Sequence, residues 1–206
     1  GDARALGAIL QLTREADAKL RRFATGMLWN AARVFPDDPR IAPRLVWLRA
    51  YHELYQPEVA LAVMAILAKS IPDLRLAMAG PEKTPGAAAA LRVLAGRLGV
   101  ADRIDWGGKQ AKPAVPAWLS RGDIFLNTSQ VDNTPVTLLE AMALGLCVVS
   151  TDAGGIPFLV KDGEDGLLAP VGDTTALAER VRRLLDHPEL AAHLSAAGRR
   201  KAENCD

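Results

Sequence analysis

From Arg44 onward the chain alternates short apolar runs with amphipathic stretches, and this alternation restricts the fold more than any other feature. Strand-length runs lie at residues 45–48, 74–79, 103–106, 123–127, 147–150 and 166–169. Helical spacing lies between and after them, at 58–70, 87–98, 115–120, 135–144, 156–160, 174–185 and 189–202. The strand runs are short and apolar, as expected of strands buried on both faces. Strands of that kind, alternating with helices, predict an α/β fold: a Rossmann-like parallel sheet with helices on both faces. Glycines follow several strand ends: Gly80, Gly107, Gly108, Gly154 and Gly155. In open parallel sheets ligands bind outside the carboxyl ends of the strands, so these loops are expected to converge on one edge.

The first part of the chain reads differently. Residues 6–23 have helical apolar spacing with charges between them. Residues 30–43, Asn-Ala-Ala-Arg-Val-Phe-Pro-Asp-Asp-Pro-Arg-Ile-Ala-Pro, are rich in proline and acids. That composition marks a linker or a domain boundary. Two regions are expected: 1–43, a helical segment and linker, and 44–206, the α/β domain.

Composition excludes several classes. Half of the 206 residues are hydrophobic and 24% are charged, as in an ordinary globular chain. The formal net charge of +1 gives no argument for nucleic acid. The longest apolar runs are strand-length or broken by charges, and no basic-then-apolar leader opens the chain. Cys147 and Cys205 lack metal-type spacing, and His52, His187 and His193 are scattered. Reduced thiols, no metal, no cofactor and a cytoplasmic location are therefore expected; peripheral attachment at the inner membrane face is a separate expectation that these residues do not carry.

The most informative segment runs from Asn127 to Gly155: strand, polar loop, helix, short turn, buried strand, Gly-Gly loop. Asp132 lies in the loop and Glu140 eight positions on, in the helix. A helix N-terminus facing a polar loop offers free N–H groups and the positive end of the dipole to an anion. One carboxylate on either side suits a ligand with phosphate in the middle and hydroxyls at both ends, as in a nucleotide-sugar.

These residues resemble a known family. Asn127-Thr-Ser129, Asp132-Asn-Thr-Pro135, Leu138-Leu-Glu-Ala-Met-Ala143, Gly145, Val148-Val-Ser-Thr151, Gly154-Gly155 and Asp165-Gly-Leu-Leu-Ala-Pro170 follow the order of motifs in the nucleotide-sugar-binding half of retaining GT-B glycosyltransferases, family 4. The resemblance covers roughly residues 44–202. It implies one half of a GT-B fold, with an acceptor-binding N-terminal domain of the same enzyme mostly missing from this chain. Met27-Leu-Trp-Asn-Ala-Ala-Arg-Val-Phe-Pro36 loosely resembles the interdomain linker.

The resemblance also implies roles. Glu140 would accept hydrogen bonds from the ribose hydroxyls. Asp132 stands where the family usually has a Glu that contacts the transferred sugar, and is one methylene shorter. Arg49 would pair with the diphosphate and stabilise the departing phosphate. The family's Lys five residues later is Leu54 here, so a cation is missing. Asn133, Thr134, Val136 and Thr137 would supply N–H groups to the diphosphate, with Pro135 in the first helical turn. Gly80, Pro81, Gly107 and Gly108 would line the base pocket with main chain. Ordinary alternatives stand beside each role: a solvated Glu140, an Asx turn at Asp132, a surface Arg49, a close turn at Gly154-Gly155, and Trp106 as core.

The activity so implied is hexosyl transfer from a UDP- or GDP-sugar to the hydroxyl of a glycan, lipid or small-molecule acceptor, with retention and without metal. One alternative is a nucleotide-sugar-binding module without turnover. Another is a nucleotide-sugar epimerase on the same fold. A dinucleotide oxidoreductase would need Gly-x-Gly-x-x-Gly after the first strand, and Leu48-Arg-Ala-Tyr-His52 does not offer it.

Overall fold

The computed structural model describes residues 43–205. The expectations for residues 1–42, the helix over 6–23 and the linker, lie outside the described residues. Six strands form one sheet: β1 (Arg44–Leu48), β2 (Arg75–Ala79), β3 (Ile104–Gly108), β4 (Ile124–Asn127), β5 (Cys147–Thr151) and β6 (Leu167–Ala169). Their order is β3-β2-β1-β4-β5-β6 and every pairing is parallel. The helices are α1 (Pro57–Ala68), α2 (Ala87–Arg97), α3 (Val115–Leu119), α4 (Val136–Ala143), α5 (Ile156–Leu159), α6 (Thr174–Asp186) and α7 (Pro188–Glu203).

The central strands β1, β4 and β5 are buried on both faces, which is why they read as apolar, whereas edge strand β3 leaves Asp105 and Gly108 exposed. Along β1, Leu45 and Trp47 point into one core, while Val46 and Leu48 point into the other. The first core takes Leu61 and Met64 of α1, Leu91 of α2 and Val181 of α6. The second takes Trp118 of α3, and Leu138 and Met142 of α4. Helix α7 contributes Leu194 to the first and Ala202 to the second.

Strand order creates the place for a site. The chain steps outward from β1 to β2 to β3, then returns to lay β4 on the other side of β1. The connections after β1 and β4 therefore lead in opposite directions and leave a crevice between the two strand ends. Most boundaries differ from the sequence expectation by a residue, and Pro135, expected in the first helical turn, precedes α4; the difference that bears on the site is at β3. Strand β3 continues through Gly107 and Gly108, expected as a loop, because Gly108 pairs with Ala79 after a register shift. The Gly80 N–H donates to the Gly108 carbonyl at 2.8 Å and extends that contact.

Candidate functional site at the sheet switch point

Arg49 follows β1, and its side chain crosses to the loop and helix that follow β4. Its Nη2 forms an ion pair with Asp132 Oδ2. Its Nη1 donates to Thr137 Oγ1 at 3.4 Å. The guanidinium carbon lies 4.5 Å from the centre of the Tyr55 ring, a cation–π contact. Only 15% of the Arg49 side chain and 9% of the Asp132 side chain is exposed, so the pair is largely out of water. Burial lowers the Arg49 pKa, with Tyr55 opposing that shift. The Arg49 Nε is buried with no partner.

Asp132 is held from behind by a polar network. Ser129 Oγ stands 3.1 Å from Asp132 Oδ2 and 2.9 Å from Asn127 Oδ1, and shares its one proton between them. Asn127 Nδ2 donates to Ser150 Oγ at 2.9 Å, and Thr151 Oγ1 donates to the Ser129 carbonyl at 2.6 Å. Asn127, Ser129, Ser150 and Thr151 are all buried, so these polar groups must find one another. They tie the end of β5 to the loop after β4.

Gly154-Gly155 belongs to this support. The Gly155 N–H donates to the Asp132 carbonyl at 2.9 Å. A Cβ on Gly155 would lie 2.0 Å from the Asn133 carbonyl oxygen. The glycine pair lets two backbones touch, so its close-turn reading has a specific partner, the loop that carries Asp132.

Helix α4 begins at Val136, with Pro135 before it at φ −70° and ψ 104°. No side chain caps this end. Its first turn therefore presents N–H groups without a competing cap, beside the Arg49 guanidinium. Asn133, Thr134 and Val136 are exposed, and Thr137 is half-buried. Glu140 lies one turn further on, half-buried, and burial raises its pKa while Lys112 opposes that shift. No described residue donates a hydrogen bond to its carboxylate. A half-buried, unpartnered carboxylate beside a helix N-terminus is a candidate ligand contact on physical grounds.

The residues expected at the base are arranged less simply. A Cβ on Gly80 would lie 1.7 Å from the Arg49 carbonyl oxygen, so the loops after β1 and β2 touch there. The Pro81 carbonyl accepts from the Tyr51 N–H at 2.9 Å. A Cβ on Gly107 would lie 2.2 Å from the Trp118 ring, so this glycine accommodates an indole of the second core. Gly108 is exposed with open space beside it. Trp106 is half-buried, with the Arg92 guanidinium carbon 5.2 Å from its ring centre.

Sequence reasoning missed the residues that shape the loop after β1. Trp47 Nε1 donates to Thr128 Oγ1 at 3.0 Å, and Thr128 Oγ1 donates to the Tyr55 carbonyl at 2.7 Å. Thr128 thus joins β1, the loop after β4 and the start of α1. Leu54, expected beside the phosphate as the replacement for a Lys, is 41% exposed, and the side chain under Arg49 is Tyr55. Among the described residues, no three His, Cys, Asp or Glu stand close enough to hold a metal, and no helix is long and apolar enough to cross a membrane.

Comparison with known proteins shows what the chain is similar to. The D-inositol 3-phosphate glycosyltransferase of Streptomyces avermitilis is 30% identical over 192 residues, covering 88% of this chain but 40% of that protein. The structure of Anabaena Alr3699/HepE in complex with UDP and glucose superposes with a TM-score of 0.73 at 18% identity, covering 85% of this chain and 47% of that one. The C-terminal domain of a glycosyl transferase group 1 family protein, LpcC from Francisella tularensis, superposes with a TM-score of 0.71 at 20% identity, covering 86% of this chain and 90% of that one. The chain thus spans about two-fifths of the length of the Streptomyces relative. The family model described as Glycosyl transferases group 1 matches residues 43–201, and the chain belongs to that family.

Proposed function

We propose that this chain is the donor-binding half of a retaining, family 4 glycosyltransferase and takes a nucleoside diphosphate sugar at the crevice between β1 and β4. One observation carries the reading. Arg49, Asp132 and Thr137 meet at the uncapped N-terminus of α4, with the half-buried Glu140 one turn behind. That arrangement offers a cation and N–H donors to a diphosphate, a carboxylate to the ribose on one side, and a carboxylate to the sugar on the other. UDP is the favoured nucleotide because the Anabaena structure holds it. A GDP-sugar remains the competing donor.

In the proposed reaction the bond between the anomeric carbon and the diphosphate oxygen breaks, and a bond to the acceptor oxygen forms on the same face. The acceptor proton passes to the leaving phosphate, so no protein base is assigned. Arg49 and the α4 N–H groups of Val136 and Thr137 stabilise the charge that develops on the diphosphate, as preorganised donors do. Asn133 and Thr134 complete the phosphate contact, and Asp132 stands beside the transferred sugar. Gly80, Pro81, Gly107 and Gly108 border the base, with Gly108 having the most room for it. We assign no metal and no cofactor to the site.

Calorimetric titration with UDP and GDP tests the reading. Loss of a charge-assisted bond to a ribose hydroxyl costs about 1.5–3 kcal/mol, so Glu140→Gln is expected to weaken binding tenfold or more. Equal affinity of the two proteins would remove Glu140 from the site. Binding of neither nucleotide by the unsubstituted chain would end the donor-site reading.

A further inference from the structure

We propose that Tyr55 is a positioning residue for the diphosphate: its ring carries the Arg49 guanidinium and holds it against the N-terminus of α4. The inference rests on the donor-site reading and assigns a role that the family pattern in this sequence does not indicate.

The geometry separates the two ways in which Arg49 is held. Its edge is held by polar atoms, through Nη2 to Asp132 and Nη1 to Thr137. Its flat face is held by the Tyr55 ring, 4.5 Å from the guanidinium carbon. A diphosphate needs the edge. To bind it, Arg49 must exchange Asp132 for phosphate oxygens, and its edge contacts are then remade. The ring contact lies perpendicular to the edge and survives the exchange, because a cation–π contact leaves the N–H fork free. Arg49 Nε has no partner of its own, so no polar contact there would keep the side chain in place meanwhile.

Tyr55 is itself well anchored. Its carbonyl accepts from Thr128 Oγ1 at 2.7 Å, and the neighbouring Leu54 carbonyl accepts from the Gln130 N–H at 2.8 Å. Both donors belong to the segment after β4, which also carries Asp132. The aromatic platform under the face of Arg49 and the carboxylate at its edge are therefore tied to one loop, and their spacing is set locally. With Leu54 exposed where the family pattern has a second cation, the affinity for diphosphate is expected to depend strongly on how Arg49 is presented.

The test is a double-mutant cycle read with two ligands. UDP and GDP, each beside its bare nucleoside, are titrated into the unsubstituted chain, Tyr55→Leu, Tyr55→Phe, Arg49→Ala and the Tyr55→Leu/Arg49→Ala pair. Tyr55→Leu is expected to weaken diphosphate binding roughly three- to thirtyfold, the range a cation–π contact covers, with nucleoside binding unchanged. Tyr55→Phe keeps the ring and is expected to bind as the unsubstituted chain does. On the Arg49→Ala background the Tyr55→Leu change is expected to add nothing. A readout without ligand runs beside it: the Arg49 Nε–H proton resonance should carry a ring-current shift that Tyr55→Phe preserves and Tyr55→Leu abolishes. Unchanged diphosphate binding in Tyr55→Leu, equal loss for nucleoside and diphosphate, or a full additive loss on the Arg49→Ala background would each overturn the assignment while leaving the donor site standing. If the unsubstituted chain binds neither UDP nor GDP, the donor-site reading fails and the diphosphate role of Tyr55 falls with it, whatever the resonance shows.

Discussion

Glu140 shows how far a single carboxylate can be read. Its sequence neighbours, Leu138, Leu139 and Met142, argue against full exposure, and the structure places it half-buried with no described partner. Burial disfavours its charged form and raises its pKa, with Lys112 pulling the other way. The sign of the consequence follows from linkage. A carboxyl with a folded-state pKa above its unfolded value holds its proton longer in the folded chain. Stability from that source is present below the unfolded pKa and is lost as pH rises through the folded one. In the ligand-free chain, Glu140→Gln should therefore raise the melting temperature at pH 7 and change it little below the ordinary carboxylate range. Melting curves of both proteins across pH check this. A variant less stable than the parent at pH 7 would mean that the Glu140 carboxylate has a structural partner. Such behaviour, stability given up to keep a charge, is what a ligand-contacting carboxylate shows.

At the scale of elements, what was legible depended on how far a pattern extends. The central strands were readable because burial on both faces makes their apolar runs continuous, and the longer helices because one buried stripe repeats along each. The loop after β1 was not. Residues Glu53–Tyr55 form one turn of 3-10 helix, in which successive side chains point about 120° apart. Counting along the chain to Leu54 therefore reaches the outer face of the turn, while Tyr55 faces Arg49. The role of Gly154-Gly155 was hidden for a related reason: its partner, the Asp132–Asn133 backbone, is set by tertiary contact. This packing makes opposite predictions for two glycines. Gly155→Ala places a methyl 2.0 Å from the Asn133 carbonyl oxygen and should cost about 1–3 kcal/mol, as overpacking does. Gly96→Ala, in helix α2 with nothing within 4 Å, should gain up to about 1 kcal/mol. Urea unfolding of both variants decides it, and a neutral Gly155→Ala would show that the loop carrying Asp132 is free to move.

At the scale of the whole molecule, the site is an edge that no other described residues face. Every residue assigned to it lies at the carboxyl ends of β1 to β4 or in the connections that follow them, above a sheet whose central strands are buried on both faces. The match to an isolated C-terminal domain covers 90% of that chain, whereas the Streptomyces relative is covered over 40% of its length. The proposed donor edge is expected to bind, since the cation, the helix end and the carboxylate proposed for the ribose all belong to one domain. Among the described residues no element stands over it to exclude water or orient an acceptor, and those contributions account for much of a transfer rate. The 206-residue chain is therefore expected to bind nucleoside diphosphate but to transfer sugar poorly or not at all. Incubation with UDP-sugar or GDP-sugar and an acceptor, followed by chromatography of products, measures this directly. Slow release of free sugar, with no glycosylated acceptor, would fit a donor half open to water. Sustained acceptor glycosylation by this chain alone would mean that a second copy, or residues 1–42, supplies a facing wall.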